Sequence, residues 1–192
     1  MKLINWVAAA LVACWLLPTS AQTPAVDSSE IDAATLTRAN TGDVAAQIYV
    51  GDCYADGRGV ARSYRLAAEW YTKAADKGDV TAEMKLAALY RDGSKDLPRN
   101  MSRAAEWYRK AAEQGEVTAQ GTLGTLYFMG QGVARDYLEA YFWLDLAASV
   151  SGPKQSQYAA NRQMVGIQIT ADELESAKER VAAWKASHPR KE

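Results

Sequence analysis

The same run of residues returns three times along this chain, and that recurrence limits the fold more than any other feature. A turn-like segment reads Tyr54-Ala55-Asp56-Gly57-Arg58-Gly59-Val60, then Tyr90-Arg91-Asp92-Gly93, then Tyr127-Phe128-Met129-Gly130-Gln131-Gly132-Val133. Each is followed by a helix-like block: Ala67-x-x-Trp70-Tyr71-x-Lys73-Ala74-Ala75, Ala104-x-x-Trp107-Tyr108-x-Lys110-Ala111-Ala112, and Ala140-x-x-Trp143-Leu144-x-Leu146-Ala147-Ala148. The Trp positions are separated by 37 and 36 residues and the Tyr positions by 36 and 37. A fixed period of this size is the mark of a solenoid of stacked helix pairs, in which each unit buries its apolar face only against its neighbours. Such folds present surfaces, and binding is the expected occupation.

Within one repeat the physical logic can be followed residue by residue. Asp43, Asp79 and Glu116 stand where a first helix begins, and acids suit a helix N-terminus. The apolar positions that follow are Ala46, Val50, Cys53 and Tyr54; then Ala82, Leu86, Leu89 and Tyr90; then Ala119, Leu123, Leu126 and Tyr127. Spacings of four, three and one put each set on one helical face. Gly51, Ala87 and Gly124 sit beside that stripe. A glycine inside a helix costs about 1 kcal/mol relative to alanine, so its use predicts a close approach by a neighbour. The Gly-x-Gly-Val turn supplies positive φ for chain reversal. Ser63, Asn100 and Asp136 are good N-caps for the second helix, and Asp136 with Glu139 resembles a capping box. The second helix is expected to bury its Ala, Trp and Ala-Ala positions. On that reading Trp107→Ala hollows the central repeat at a cost of about 3–5 kcal/mol. The turn of the second repeat, Gly93-Ser94-Lys95-Asp96-Leu97-Pro98, lacks the second glycine and should differ locally.

The flanks divide the chain further. Met1-Lys2, an apolar run of twelve residues from Trp6 to Leu17, Pro18 and the small residues Thr19-Ser20-Ala21 read as an export signal cleaved after Ala21. Twelve helical residues span about 18 Å, too short for a hydrocarbon core of about 30 Å. The expected location is therefore the periplasm, with no integral membrane span. Leu11-Val12-Ala13-Cys14 offers the alternative of a lipoprotein anchored through Cys14, although the apolar run continues past it. Residues 22–29 form a polar tether, and 30–186 the solenoid, with repeats at about 43–78, 79–115 and 116–149. Ile31 to Asn40 reads as a lone N-terminal helix. C-terminal capping helices fall within 154–186, one near Gln155 to Val165 and one opened by the capping box Thr170-x-x-Glu173. Residues 187–192 read as a tail.

Composition narrows the function. The formal net charge of −1 becomes −2 without the leader, which holds Lys2 and no acid. Phosphate recognition needs clustered Lys and Arg, so nucleic acid is not the expected partner. The lone histidine, His188, lies in the tail, and no spacing of His, Cys and carboxylates suggests a metal or cofactor. No enzyme is expected. Cys53 stands where Leu89 and Leu126 stand in the other repeats and reads as a buried core residue.

These residues resemble the Sel-1-like repeat family, relatives of the tetratricopeptide repeats with a longer turn between helices. The resemblance rests on the Tyr-x-x-Gly-x-Gly-Val turn, the Ala-x-x-Trp-Tyr-x-Lys-Ala-Ala block and the Gly-Asp or Gly-Glu restart, in order, over Gly42 to Ser149. It implies an all-α, right-handed α-solenoid of three helix-pair repeats with N- and C-terminal capping helices. First helices would line the concave side and second helices the convex side. It also implies a scaffold, adaptor, regulator or inhibitor that binds another protein, as a monomer or weak oligomer. Some secreted members carry a cysteine pair in each repeat, and this chain does not.

The candidate protein-binding residues are those that vary between repeats while the core recurs. Tyr49, Asp52, Lys85, Thr122 and Thr125 (with Ala88) fall off the core stripe where a groove would open. Arg91, Phe128 and Met129 lie at the adjacent helix ends, although Phe128 and Met129 could equally pack under the next helix. Within the protein-binding class, an envelope scaffold and an immunity protein that neutralises a secreted toxic effector are both open. A peptidoglycan- or glycan-binding module is a third possibility, served by aromatics exposed in the groove.

Overall fold

The computed structural model describes residues 31–189. The proposed leader, Cys14 and the tether lie outside the described residues. The described residues form α1 (Ala33–Asn40), α2 (Val44–Asp56), α3 (Tyr64–Ala75), α4 (Val80–Asp92), α5 (Met101–Glu113), α6 (Val117–Met129), α7 (Tyr137–Ala148), α8 (Gln155–Gly166) and α9 (Ala171–Ser187), with no strand among them. Each helix packs on the one before it from α2 to α8, giving an all-α solenoid in which α2–α3, α4–α5 and α6–α7 are the three repeat pairs. The last helix departs from the series: α9 packs on α7.

The caps follow the repeat. Asp43, Asp79 and Glu116 cap α2, α4 and α6 by accepting from the amides of Ala46, Ala82 and Ala119. Ser63, Asn100 and Asp136 do the same for α3, α5 and α7. Each such cap is worth about 1 kcal/mol. Thr170 and Glu173 form the full capping box at the start of α9. Asp136 and Glu139 do not: the Glu139 carboxylate turns away to accept from Trp143 Nε1 at 3.1 Å and Arg180 of α9 at 2.7 Å.

The core differs from expectation in one respect. Ala67, Ala104 and Ala140 and the paired alanines of the second helices are buried, but Trp70 and Trp107 are only half-buried, each with a lysine ammonium (Lys73, Lys110) 3.7 and 3.8 Å above its ring. The residue that fills the repeat is the next one along: Tyr71, Tyr108 and Leu144 are 3%, 2% and 0% exposed. Trp143 is buried. Both Ala-Trp and Ala-Tyr spacings lie within one helical stripe, so periodicity alone cannot choose between them. The small residues beside the first-helix stripe now have their reason. A Cβ on Gly51 would stand 2.5 Å from the Tyr71 ring, and one on Gly124 would stand 2.7 Å from Leu144 Cγ.

The turns also tie one repeat to the next. In the third repeat Gly132 presses against the Met101 carbonyl at the start of α5, where any Cβ would collide. The second repeat's altered turn makes the equivalent link by charge: Asp96 accepts from Ser63 Oγ at 2.6 Å and the Arg65 amide at 3.2 Å, both at the N-terminus of α3. A carboxylate there meets unpaired amides and the positive end of the helix dipole. The different loop is thus a tether between repeats. At the other end His188, expected in a loose tail, stacks on Trp184 with ring centroids 4.3 Å apart.

Candidate functional site

The candidate surface is built from positions that face away from the stripe on α2, α4 and α6. Repeat spacing groups Tyr49, Lys85 and Thr122 at one position, and Asp52, Ala88 and Thr125 at another. All six are half-buried, as residues lining a shared surface would be.

Asp52 and Lys85 come together. Lys85 Nζ lies 2.9 Å from Asp52 Oδ1, joining α2 to α4, and Tyr71 donates its hydroxyl to the same oxygen at 2.6 Å. Burial and the Asp52 charge push the Tyr71 phenol well above its ordinary range, so it stays a neutral donor. The tyrosine ring thus crosses the core from α3 and ends in the surface. Tyr108 repeats the arrangement one unit on, accepting from Arg91 at 3.0 Å. Arg91 is also engaged by its neighbour Asp92, with contacts of 2.7 and 3.0 Å. That hydrogen bond holds Arg91 more firmly protonated and Asp92 below the usual carboxylate range. Arg91 is therefore a braced charge at the helix end, not a free arm.

The Arg58 guanidinium lies 5.5 Å from the ring centre of Tyr49. Thr125 bonds the Gly121 carbonyl at 2.8 Å and accepts from Asn161 of α8 at 3.3 Å, which extends the surface onto α8. Thr122 lies one turn before it. Phe128 packs against Tyr137 of its own repeat, ring centres 6.1 Å apart and tilted by 51°. Met129 is 49% exposed. Together with Arg135 and Gln168 they border a hollow of about 410 Å³ at the turn end of α6.

Three contributors were missed from sequence. The hydroxyls of Tyr71 and Tyr108 were hidden behind the Trp reading of the block. Asn161 could have been found by adding one period to Thr125. The third is an open patch at the C-terminal end of α8, where Met164 and the cap residue Ile167 are 53% and 77% exposed. With α7 and α9, α8 borders a wide, open hollow of about 920 Å³ over the Arg162–Asp145 ion pair at 2.6 Å. Cys53 is fully buried, as its repeat position implies. Among the described residues no group of three or more His, Cys, Asp or Glu could hold a metal ion, and no helix is long and apolar enough to cross a membrane.

Comparison with known proteins agrees with the geometry. A Sel1 repeat protein from Oxalobacter formigenes is similar at 34% identity and a TM-score of 0.60, over 68% of this chain and 52% of that one. This chain thus spans about half the length of that relative. A protective antigen of uropathogenic Escherichia coli with an SLR fold is 29% identical over 80% of this chain and 40% of its own, with a TM-score of 0.44. Helicobacter pylori cysteine rich protein B is 14% identical over 65% of this chain and 88% of its own, with a TM-score of 0.49. No curated protein matches significantly. The Sel1 repeat family matches residues 44–79, 80–116 and 118–150. Those three matches cover more than half of the sequence, and the chain belongs to the Sel1 repeat family.

Proposed function

We propose that this chain is an exported, periplasmic protein-binding solenoid that works without catalysis, as a scaffold, regulator or inhibitor of another protein. One observation carries the reading. The surface formed by α2, α4 and α6 changes its chemistry from repeat to repeat (Tyr49, Lys85 and Thr122; Asp52, Ala88 and Thr125) while the packing beneath it recurs. A repeat array that keeps its core and varies one face has that face available for recognition. Export is proposed from the charged start, short apolar run and small residues of the leader. The family is typically one of non-enzymatic interaction scaffolds, in keeping with this reading.

The test is photo-crosslinking in cells. A photoreactive amino acid at Ala88 or Thr122 should trap one or a few envelope proteins, recovered from the periplasmic fraction. The same probe at Glu106, exposed on the second-helix side, should not. Adducts to a single toxin-like enzyme would specify the inhibitor as an immunity protein. Adducts to cell-wall fragments alone would replace protein binding with the glycan-binding module. Equal crosslinking from Ala88, Thr122 and Glu106 would refute the assignment of the surface. A protein found only in the cytoplasm would refute export.

A further inference from the structure

Three buried polar residues recur at one repeat position: Gln47, Glu83 and Gln120, exposed by 4%, 3% and 1%. They lie in the first turns of α2, α4 and α6, just after the joint with the preceding helix. Two of them do the same job. Gln47 donates its amide to the Ala39 carbonyl at 3.0 Å, and Gln120 donates to the Ala112 carbonyl at 3.2 Å. Those carbonyls sit at the C-terminal ends of α1 and α5, where each also accepts a turn bond, from the Gly42 amide at 3.1 Å and the Gly115 amide at 3.0 Å, as the Ala75 carbonyl does from Gly78 at 2.8 Å. The amide thereby fastens each first helix to the helix before it. The equivalent carbonyl in the middle joint belongs to Ala75, one period from both. Glu83 has the shape of glutamine, but its ionised side chain has no hydrogen to give.

We propose that Glu83 is a proton-sensitive joint between the first and second repeats: protonated, it donates to the Ala75 carbonyl as its glutamine counterparts do, and ionised, it loses that bond. The Glu83 carboxyl also accepts a hydrogen bond from Gln114 Nε2, at the C-terminal end of α5, at 2.9 Å. Charges facing it come from several elements. Lys110 of α5 favours the ion, whereas Asp79, the α4 cap, and Glu113 of α5 oppose it. Burial opposes the ion most, and the net effect holds the carboxyl above its ordinary range. An acid whose pKa is raised by folding favours the fold below its ordinary pKa, and that contribution is lost as pH rises through the raised value. The joint is therefore closed in mild acid and open at neutral pH.

The test compares the full chain with Glu83→Gln from pH 4 to 8. The variant should melt about 2–4 °C higher at pH 7.5, the shift typical of one recovered hydrogen bond in a chain of this size, and the gap should close toward pH 4. A gap independent of pH, or a variant that melts lower at pH 7.5, overturns the proposal. A second measurement needs no variant. Amide exchange in the wild type, corrected for its intrinsic pH dependence, should show opening at residues 75–83 that rises severalfold from pH 4.5 to 7.5. The joints at 39–47 and 112–120, closed by glutamine, should not change. The same pH profile at all three joints overturns it.

Discussion

The identity of the residue that fills each repeat can be tested by pitting two neighbours against each other. Tyr108 is 2% exposed and is among the largest fully buried side chains, whereas Trp107 is half-buried with Lys110 over its ring. Tyr108→Ala removes a whole aromatic ring from a packed interior, a change that costs about 3–5 kcal/mol. The released Arg91 adds little, because its guanidinium is partly in water and remains paired with Asp92. Trp107→Ala forfeits about half the apolar burial of a large side chain and a cation–π contact, about 1.5–2.5 kcal/mol together. At about 2–4 °C per kcal/mol for a chain of this size, Tyr108→Ala should lower Tm by roughly 6–20 °C and Trp107→Ala by about half of that, roughly 3–10 °C. Tyr108→Phe keeps the ring and loses only the hydrogen bond to Arg91, at about 0.5–1.5 kcal/mol. The assay is urea and thermal denaturation followed by circular dichroism on all three variants. If Trp107→Ala proves as costly as Tyr108→Ala, the assignment of the repeat's core is refuted.

Two further outcomes follow from the packing between repeats. Gly121→Ala places a methyl group into the Tyr158 ring; it should destabilise by about 1–2 kcal/mol despite alanine's better helix propensity, with the loss concentrated in amide exchange across α8. Gly152→Ala, which meets nothing within 4 Å, is the control and should melt as the wild type does. Asp96→Asn should lower Tm at neutral pH. Hydrogen bonds from Ser63, Ser94 and the Arg65 amide hold the Asp96 carboxyl far below its usual range, so its contribution is present above about pH 4 and fades as acid protonates it. The melting gap between variant and wild type should therefore narrow below about pH 4, and a gap that widens in acid would contradict the tether.

Architecture was legible because repetition multiplies weak signals. One Tyr-x-x-Gly turn or one alanine pair means little, but three in register fix helix boundaries, caps and stacking order together. Cys53 was placed by this route, by reading its position in Leu89 and Leu126. What escaped was anything decided by the direction of a side chain. Trp70 and Tyr71 are both large, aromatic and adjacent, and only three-dimensional packing shows that the tyrosine turns inward. Asp136 and Glu139 have capping-box spacing, yet Glu139 is claimed by Trp143 and by Arg180, which lies 41 residues further along. Asp96 looked like part of an irregular loop because its partner Ser63 is 33 residues earlier. Of the surface positions, the Asp52–Lys85 pair and the Thr125–Asn161 bond share this character: each joins residues one period or nearly one period apart. Repeat spacing indicated the neighbourhood, and the geometry supplied the contact.

The tyrosines that run from the second helices into the recognition surface leave its positions unequally free to change. Asp52 and Arg91 each hold a hydroxyl whose ring is part of the interior. Rewriting either one alters stability along with recognition, and substitutions there should couple to changes at Tyr71 or Tyr108. Ala88 and Thr122 carry no such attachment in the described contacts. A lineage of such chains adapting to new partners would then diversify first at 88 and 122, holding 52 and 91 as fixed points. The third repeat, where Leu144 replaces tyrosine and has no hydroxyl to anchor, is where the surface can drift most cheaply.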